Sequence, residues 1–424
     1  MKLKYHFRLS STASLFLIFL VIGILSNSLF RHYNGFKARQ FVMGSDMEGY
    51  YQYLPYVFFE EYDIKQMRWA RDYGEDRKLN VFTCGVALLQ SPFFLLGHGI
   101  STFLEMENRG YNPAYFMSVL FAGLFYAFLG LLYLFRALER MFSRPAARWA
   151  TLMVFLATNL YYYTAMMPGM SHVYSFFLVS VFIFHVPGFY KRADWKSSLK
   201  VILPLGLAVL IRPTNILFGF YFLLYGISSF RELGIRLSFL AGKWKFILLM
   251  LVVAFVIFIP QMLYWHAVTG KWVVYSYTES RFSNWKHPQV GTVLIGARNG
   301  WFIYTPLMLI ASGALFYLAW LKKHSAPAIL FILLIMVYLN ASWFLPTFSS
   351  AVGYRALIEV LPLMSIPLSF TIEKARQKKG GWWTLRVVFV LFVVYNILFS
   401  YGYNNDVWWN QDWQWSNMLR LVTF

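Results

Sequence analysis

The amino-acid sequence predicts an all-α, polytopic integral membrane protein with about eleven transmembrane helices. Hydrophobic residues make up 59% of the 424 residues and charged residues only 13%, whereas a soluble domain carries about 25% charged residues. The net charge of +20 comes from cations that cluster between apolar runs, as the positive-inside rule predicts. Nucleic acid is therefore not an expected partner, and the chain 1–424 is interpreted as one membrane domain.

The first helix is predicted over residues 11–30, after the cations Lys2, Lys4 and Arg8. This apolar run is longer than a typical signal-peptide core and lacks a clear A-x-A cleavage site, so a retained helix with a cytoplasmic N-terminus is expected. Residues 31–112 then form a first outer loop. Its single cysteine, Cys84, excludes a disulfide within the chain.

Within this loop, residues 81–100 are apolar enough to span a membrane, but Pro92 and flanking glycines weaken that interpretation. Counting this run as a span would place the later cluster of Arg136, Arg140, Arg144 and Arg148 outside, against the positive-inside rule. We therefore predict a helix that lies in the outer interface.

The remaining spans follow from apolar length, since about 20 apolar residues cross a bilayer. They are predicted at 113–135, 150–166, 173–189, 201–211, 216–228, 246–265, 306–321, 326–344, 356–371 and 383–400. The arms 201–211 and 216–228 are short for a full crossing. A second large outer loop is predicted at 269–305 and an outer tail at 401–424.

The first candidate for chemistry is Asp46, which follows the first helix in the stretch GSDMEGYYQYLP. Ser45-x-x-Glu48 is also a capping box, and in that interpretation Asp46 only faces the positive end of a helix dipole. Asp46 and Glu48 are two residues apart and project in different directions from a helix, so at most one of them acts in acid/base chemistry.

Three outer-face arginines, Arg212, Arg298 and Arg355, run against the positive-inside rule, and binding a phosphate or an anionic headgroup would explain them. Structural alternatives stay open. Arg212-Pro213 is also typical of a helix end with a snorkelling arginine, and Arg355 has the spacing for an intrahelical ion pair with Glu359. Lys78 stands among charged neighbours and is equally interpretable as a solvated lysine.

His172 follows the tight outer turn Pro168-Gly169-Met170-Ser171. No carboxylate accompanies it in the turn and no pair of histidines has a metal-ligand spacing, so a hydrogen-bonded structural histidine is expected rather than a metal ligand. No cofactor is expected, and a divalent metal is not required.

Seven segments together resemble a known family. They are SDMEGYYQYLPY (45–56), KLNVFTCGVALLQSPFFLLGH (78–98), TNLYYYTAMMPGMSHVYSF (158–176), GLAVLIRPTN (206–215), PQMLYWHAVTGKW (260–272), ARNGWFIYTPL (297–307) and GYRALIEVLPL (353–363). Their order is similar to that in the C-superfamily (GT-C) membrane glycosyltransferases, which include protein O-mannosyltransferases and the lipid A aminoarabinose transferase.

This resemblance implies a GT-C-like fold and a catalytic role for Asp46, which matches the outer-loop acid that deprotonates the acceptor. It implies a polyprenyl-phosphate sugar as donor, with Lys78 near the lipid phosphate. The other predicted substrate-binding residues are Glu48, His172, Arg212, Arg298 and Arg355. Many relatives carry a second acid after the third helix, but no carboxylate lies between Asn159 and His185 in this sequence, so a two-acid mechanism is not expected.

The expected function is therefore inverting hexosyl transfer to a hydroxyl of a lipid, glycan or protein acceptor in the cell envelope. The expected location is the inner (plasma) membrane, among its lipids, with the active face periplasmic or otherwise extracytoplasmic. Two alternatives remain: a lipid or sugar transporter or flippase, which would show matched, broken half-repeats that this sequence lacks, and a non-catalytic subunit of an envelope-assembly complex.

Overall fold

The computed structural model describes residues 11–35, 37–59, 67–74, 77–107, 109–277, 280–348, 351–402 and 414–420. The described chain is predominantly helical, which confirms the all-α prediction. Its sheet is a small antiparallel hairpin in the first outer loop, formed by β1 (Ala70–Asp72) and β2 (Lys78–Asn80) with Arg71 opposite Leu79.

The helices, in chain order, are α1 (Ser11–Asn34), α2 (Asp46–Tyr51), α3 (Tyr53–Phe58), α4 (Gly85–Phe103), α5 (Pro113–Leu138), α6 (Arg144–Leu156), α7 (Leu160–Ala165), α8 (Ser171–Lys191), α9 (Trp195–Ile211), α10 (Gly219–Leu224), α11 (Phe230–Gly242), α12 (Trp244–Thr269), α13 (Val290–Ile295), α14 (Trp301–Tyr304), α15 (Leu307–Trp320), α16 (Ala326–Ser342), α17 (Leu361–Arg376), α18 (Lys379–Gly402) and α19 (Trp415–Arg420). Three 3-10 turns cover Ala38–Phe41, Pro213–Phe218 and Arg355–Val360.

Seven segments of the described chain are long and apolar enough to cross a membrane: α1, α4, α5, α8, α12, Arg355–Arg376 and α18. The segments Pro213–Leu224, Leu307–Trp320 and Ala326–Ser342 are shorter apolar helices. The chain is therefore a multi-pass membrane protein, and each predicted span corresponds to helical structure. The predicted outer tail lies largely outside the described residues, apart from α19.

Helix α4 occupies the run that was predicted to be interfacial. It packs antiparallel to the first half of α5, because the Tyr126 hydroxyl donates to the Leu89 carbonyl at 2.9 Å and a Cβ at Gly97 would lie 3.1 Å from the Ala114 carbonyl oxygen. Since α4 also has the length and composition of a span, its interfacial location stays a prediction.

The single helix predicted over 150–166 is wrong, because α6 and α7 are separate helices. Thr158 lies between them, and its hydroxyl donates to the Val154 carbonyl at 2.6 Å and accepts from the Leu160 amide at 3.2 Å. A side chain that bonds to the backbone in this way competes with the helical ladder. The break gives α7 its own direction and places Tyr163 beside His172, with ring centroids 5.4 Å apart.

The interior of the bundle is formed mainly by α5, α6, α8, α15, α16 and α17. In the apolar 18-residue window of Arg355–Arg376, 83% of the residues are buried, whereas in the corresponding window of α12 only 11% are buried. This contrast makes α12 a peripheral helix with a lipid-facing surface and α17 a central one. The 3-10 turn that leads into α17 consequently delivers Arg355 and Glu359 to the protein interior.

Candidate active site

The start of α2 separates the roles of two carboxylates. Ser45 is the N-cap and accepts from the Met47 amide at 3.3 Å, while Glu48 Oε2 accepts from the Gly44 amide at 2.8 Å. The predicted cap is therefore present with its bonds shifted by one residue. Glu48 is buried, with Arg68 3.8 Å from its carboxylate, and this structural role accounts for its side chain.

The Asp46 side chain does not take part in the cap and instead binds Arg355, which lies 309 residues away in the sequence. Arg355 Nη2 donates to Asp46 Oδ2 at 2.7 Å, and the two side chains are 16% and 22% exposed. Such a short, charge-assisted bond is among the stronger side-chain interactions. It connects α2 to the 3-10 turn before α17 and leaves the carboxylate partly open to solvent.

A second group of charges lies around Glu359. Its Oε1 is 2.9 Å from His172 Nδ1 and 3.4 Å from Arg212 Nη1. His172 lies in the first turn of α8, and Arg212 lies between α9 and the 3-10 turn that starts at Pro213. The intrahelical pair of Arg355 with Glu359 was one of two open alternatives; the ion pairs instead join Arg355 to Asp46, and Glu359 to His172 and Arg212.

Tyr50 lies near charged residues of both groups. Its hydroxyl donates to Ser171 Oγ at 3.2 Å, next to His172. Burial raises the pKa of Tyr50, the nearby Asp46 raises it further, and Arg212 and Arg355 act in the opposite direction. Tyr50 therefore stays protonated and remains a hydrogen-bond donor. We call these six residues the polar cluster: Asp46, Tyr50, His172, Arg212, Arg355 and Glu359.

Close backbone packing brings α8 to α2. A Cβ at Gly169 would lie 2.7 Å from the Phe41 carbonyl oxygen, and one at Gly123 would lie 2.6 Å from Pro168 Cβ. The turn before α8 is thus pressed against α5 on one side and against the segment before α2 on the other. Only glycine permits these approaches, and they place His172 beside the residues of α2.

Of the seven predicted site residues, the structure brings together Asp46, His172, Arg212 and Arg355. Lys78 instead lies on β2, where its ammonium nitrogen is 3.5 Å from Asp72 Oδ1. Arg298 lies partly buried in the turn between α13 and α14. Their predicted contacts with a lipid phosphate stay predictions.

Glu359 was not predicted as a site residue. It had one usable signal, because Glu359 is a lone carboxylate at the entry to the apolar run 356–372, and an ionisable residue in such a run is a functional hypothesis by default. The hydrogen bond of His172 was expected, but its partner, 187 residues away, was not.

The polar cluster contains the groups needed to accept a proton and to bind an anion. Asp46 is a partly exposed carboxylate that can act as a base, and Arg212 and Arg355 supply two guanidinium groups. Among the described residues, no three His, Cys, Asp or Glu side chains are grouped to hold a metal ion. That the reaction requires no divalent metal stays a prediction from the sequence.

Comparisons with known proteins identify the fold. No protein-family model and no curated protein matches the sequence. The structure of the apo oligosaccharyltransferase from Archaeoglobus fulgidus matches with a TM-score of 0.51 and 13% identity, over 91% of this chain and 55% of that one. The chain therefore spans about half of that protein's length, and the likeness confirms the GT-C-like membrane fold expected from the sequence.

Proposed function

We propose that this protein is a glycosyltransferase that moves a sugar from a polyprenyl-phosphate donor to a hydroxyl of a lipid, glycan or protein acceptor. The observation that carries the proposal is the Asp46–Arg355 pair, a carboxylate held at 2.7 Å by a guanidinium and still partly exposed. The fold adds support, because it is similar to that of an oligosaccharyltransferase.

In this reaction Asp46 acts as general base. It takes the proton of the acceptor hydroxyl while the acceptor oxygen forms a bond to the anomeric carbon and the bond from that carbon to the phosphate oxygen breaks. Attack from the face opposite the phosphate inverts the anomeric configuration. A positioned base of this kind supplies about 10²–10⁴-fold in rate.

A guanidinium group of the polar cluster stabilises the negative charge that develops on the departing polyprenyl phosphate. Arg212 and Arg355 both lie in the cluster, and arginine presents a planar fork of donors that matches phosphate oxygens. Because phosphate is already a good leaving group, no general acid is required. This fits a cluster in which Asp46 is partly exposed and the other carboxylate, Glu359, is buried.

The direction of α8 supports an extracytoplasmic active face. This helix begins at the polar cluster with His172 and ends with Lys191, near the basic segment that contains Lys196 and Lys200. Cations of this kind mark the cytoplasmic side. The cluster at the opposite end of the helix would then face away from the cytoplasm, where a sugar donor on a polyprenyl lipid would meet envelope acceptors.

The experiment is donor consumption by the purified protein in lipid, with a panel of polyprenyl-phosphate sugars. Wild type is compared with Asp46→Asn and with the matched control Asp194→Asn, an N-cap at the start of α9 where asparagine caps equally well. We expect wild type and the control to consume one donor at equal rates, and Asp46→Asn to consume it about 10²–10⁴-fold more slowly.

Equal consumption by Asp46→Asn would contradict the assigned base. Passage of the intact donor across the bilayer without consumption would instead favour a transporter or flippase.

A further inference from the structure

The two arginines of the polar cluster are held in different ways. Arg355 is 2.7 Å from Asp46, whereas Arg212 is 3.4 Å from Glu359. Both arginine side chains are partly exposed, at 16% and 23%, but those of Glu359 and His172 are 1% exposed. A ligand can therefore touch the arginines directly, while Glu359 and His172 can act on it only through a neighbour.

The contact between Arg212 and His172 has an unusual geometry. Arg212 Nη1 is 3.1 Å from Nδ1 and 3.5 Å from Nε2 of the ring. A donor in the ring plane could approach one nitrogen closely only by being much farther from the other. Nη1 of the guanidinium must therefore lie over the face of the imidazole and not in its plane.

The tautomer of His172 follows from the same geometry. Glu359 Oε1 is 2.9 Å from Nδ1, and we assign the proton to Nδ1 so that the carboxylate accepts it. Glu359 thereby fixes the orientation of the ring, and the ring face in turn supports the guanidinium. Oε1 accepts from both neighbours, so the three side chains form one connected unit.

This unit leaves part of the Arg212 fork available. Within the part of the chain that the structure describes, the hydrogen bonds and ion pairs of Arg212 all involve Nη1. A guanidinium carries five N–H donors in a rigid plane, so those on Nη2 and Nε remain for a ligand. Two parallel bonds to one phosphate are a frequent use of such a pair of donors.

We propose that Glu359 and His172 are positioning residues that hold Arg212 in the orientation in which it binds the phosphate of a polyprenyl phosphate. Arg355 is engaged by Asp46 and stays with the base, so the two arginines have separate tasks. This inference rests on the proposed function, because it takes the ligand to be a phosphate on a polyprenyl chain.

The test measures binding of bare polyprenyl phosphate and of neutral polyprenol to the full-length purified protein in lipid nanodiscs. The variants are Arg212→Gln, Glu359→Gln and the double variant, and Glu373→Gln on α17 is the matched control away from the cluster. Glu359→Gln removes the charged hydrogen-bond partner of His172 and Arg212. We therefore expect it to weaken polyprenyl phosphate binding about tenfold. Polyprenol binding and the control are expected to remain unchanged.

The double variant decides whether Glu359 acts through Arg212. If it does, Glu359→Gln causes no further loss once Arg212 is glutamine, because effects that share one route are not additive. The proposal would be overturned if Glu359→Gln still weakened polyprenyl phosphate binding in the Arg212→Gln background, or if it weakened polyprenol binding equally. Either result would show that Glu359 has a merely structural role.

A second variant covers the case in which Glu359→Gln does not fold. His172→Phe keeps a ring face under the guanidinium but removes the bond to Glu359, and we expect it to weaken polyprenyl phosphate binding by a smaller factor. Unchanged binding would overturn the inference. If wild type binds polyprenyl phosphate more tightly than polyprenol, and the Glu359 and His172 variants bind it as tightly as wild type does, only this inference is contradicted. Wild type without that preference would contradict the proposed function itself.

Discussion

Arginines occur at both ends of the helix bundle, and the partners that they bind differ. In the polar cluster, Arg355 and Arg212 face the carboxylates of Asp46 and Glu359. At the basic end, the Arg140 side chain donates to the Phe184 carbonyl at 2.8 Å, and its guanidinium carbon lies 3.5 Å from the centre of the Phe184 ring. Arg236 likewise donates to the Tyr225 carbonyl at 2.7 Å and stacks on Tyr190.

The difference separates two uses of positive charge in a membrane protein. Cations that bind carbonyl groups and aromatic rings near helix ends need no carboxylate, and their number on one side sets the orientation of the chain in the bilayer. Cations matched to carboxylates in a mostly buried cluster form a site that is close to neutral before a ligand binds. Four substitutions test this contrast.

Replacement of Asp46 by asparagine is expected to have the largest effect. It removes the base but keeps a side chain of the same size, so the transfer rate should fall by about 10²–10⁴-fold while donor binding is retained. Transfer rate and donor binding are measured separately on the same preparation. A variant that loses binding and transfer together would show that Asp46 holds substrate rather than accepts a proton.

Replacement of Arg355 by glutamine is expected to have the second-largest effect on the transfer rate. It removes the 2.7 Å bond to Asp46, and a hydrogen bond to a charged group contributes about 1.5–3 kcal/mol, which corresponds to roughly ten- to a hundredfold in rate. Arg355→Lys keeps the charge without the planar fork and should give an intermediate rate. Full activity in the glutamine variant would show that Arg355 has no part in transfer.

Replacement of Gly169 by alanine tests the packing that brings α8 to α2. The new Cβ would meet the backbone oxygen of Phe41 at 2.7 Å, so the turn must move, and overpacking of this kind costs about 1–3 kcal/mol. We expect a lower thermal midpoint and a reduced transfer rate. Gly188→Ala, where a Cβ meets nothing within 4 Å, is the control, and equal behaviour of the two variants would contradict the close approach of Gly169 to Phe41.

Replacement of Arg140 by glutamine should have the smallest effect. Arg140 is exposed at the basic end, and surface substitutions of this kind usually change stability by less than about 0.5 kcal/mol. Transfer by the purified protein is expected to equal that of wild type. If the Arg140 variant lost as much transfer as the Arg355 variant, the two ends of the bundle would not differ in the way described.

The sequence predicted the helical framework well because apolar length is a local property. The span expected at 113–135 corresponds to α5, Pro113–Leu138. The break between α6 and α7 escaped prediction, since it depends on the Thr158 hydroxyl bonding to the backbone, a local choice that hydropathy does not register.

The candidate site was predictable only in part. Asp46 and Arg355 were both identified, but their pairing joins positions 309 residues apart, and no local pattern encodes such a contact. The alternative in which Arg355 pairs with Glu359 assumed an α-helix, in which residues four apart share a face. The segment is instead a 3-10 turn, whose tighter winding directs the two side chains to different partners.

Asp46, and not its neighbour Glu48, is the carboxylate that we propose as the base. The most direct measurement compares transfer of a labelled sugar by Asp46→Asn and Glu48→Gln, with the thermal midpoint recorded for each. We predict that Asp46→Asn loses transfer out of proportion to any fall in its midpoint. Glu48→Gln replaces a charge-assisted bond to the Gly44 amide by a weaker neutral one, so we predict a lower midpoint and much of the transfer retained. Equal losses of transfer in both variants, accompanied by equally reduced midpoints, would contradict the claim and assign both carboxylates to the capping of α2.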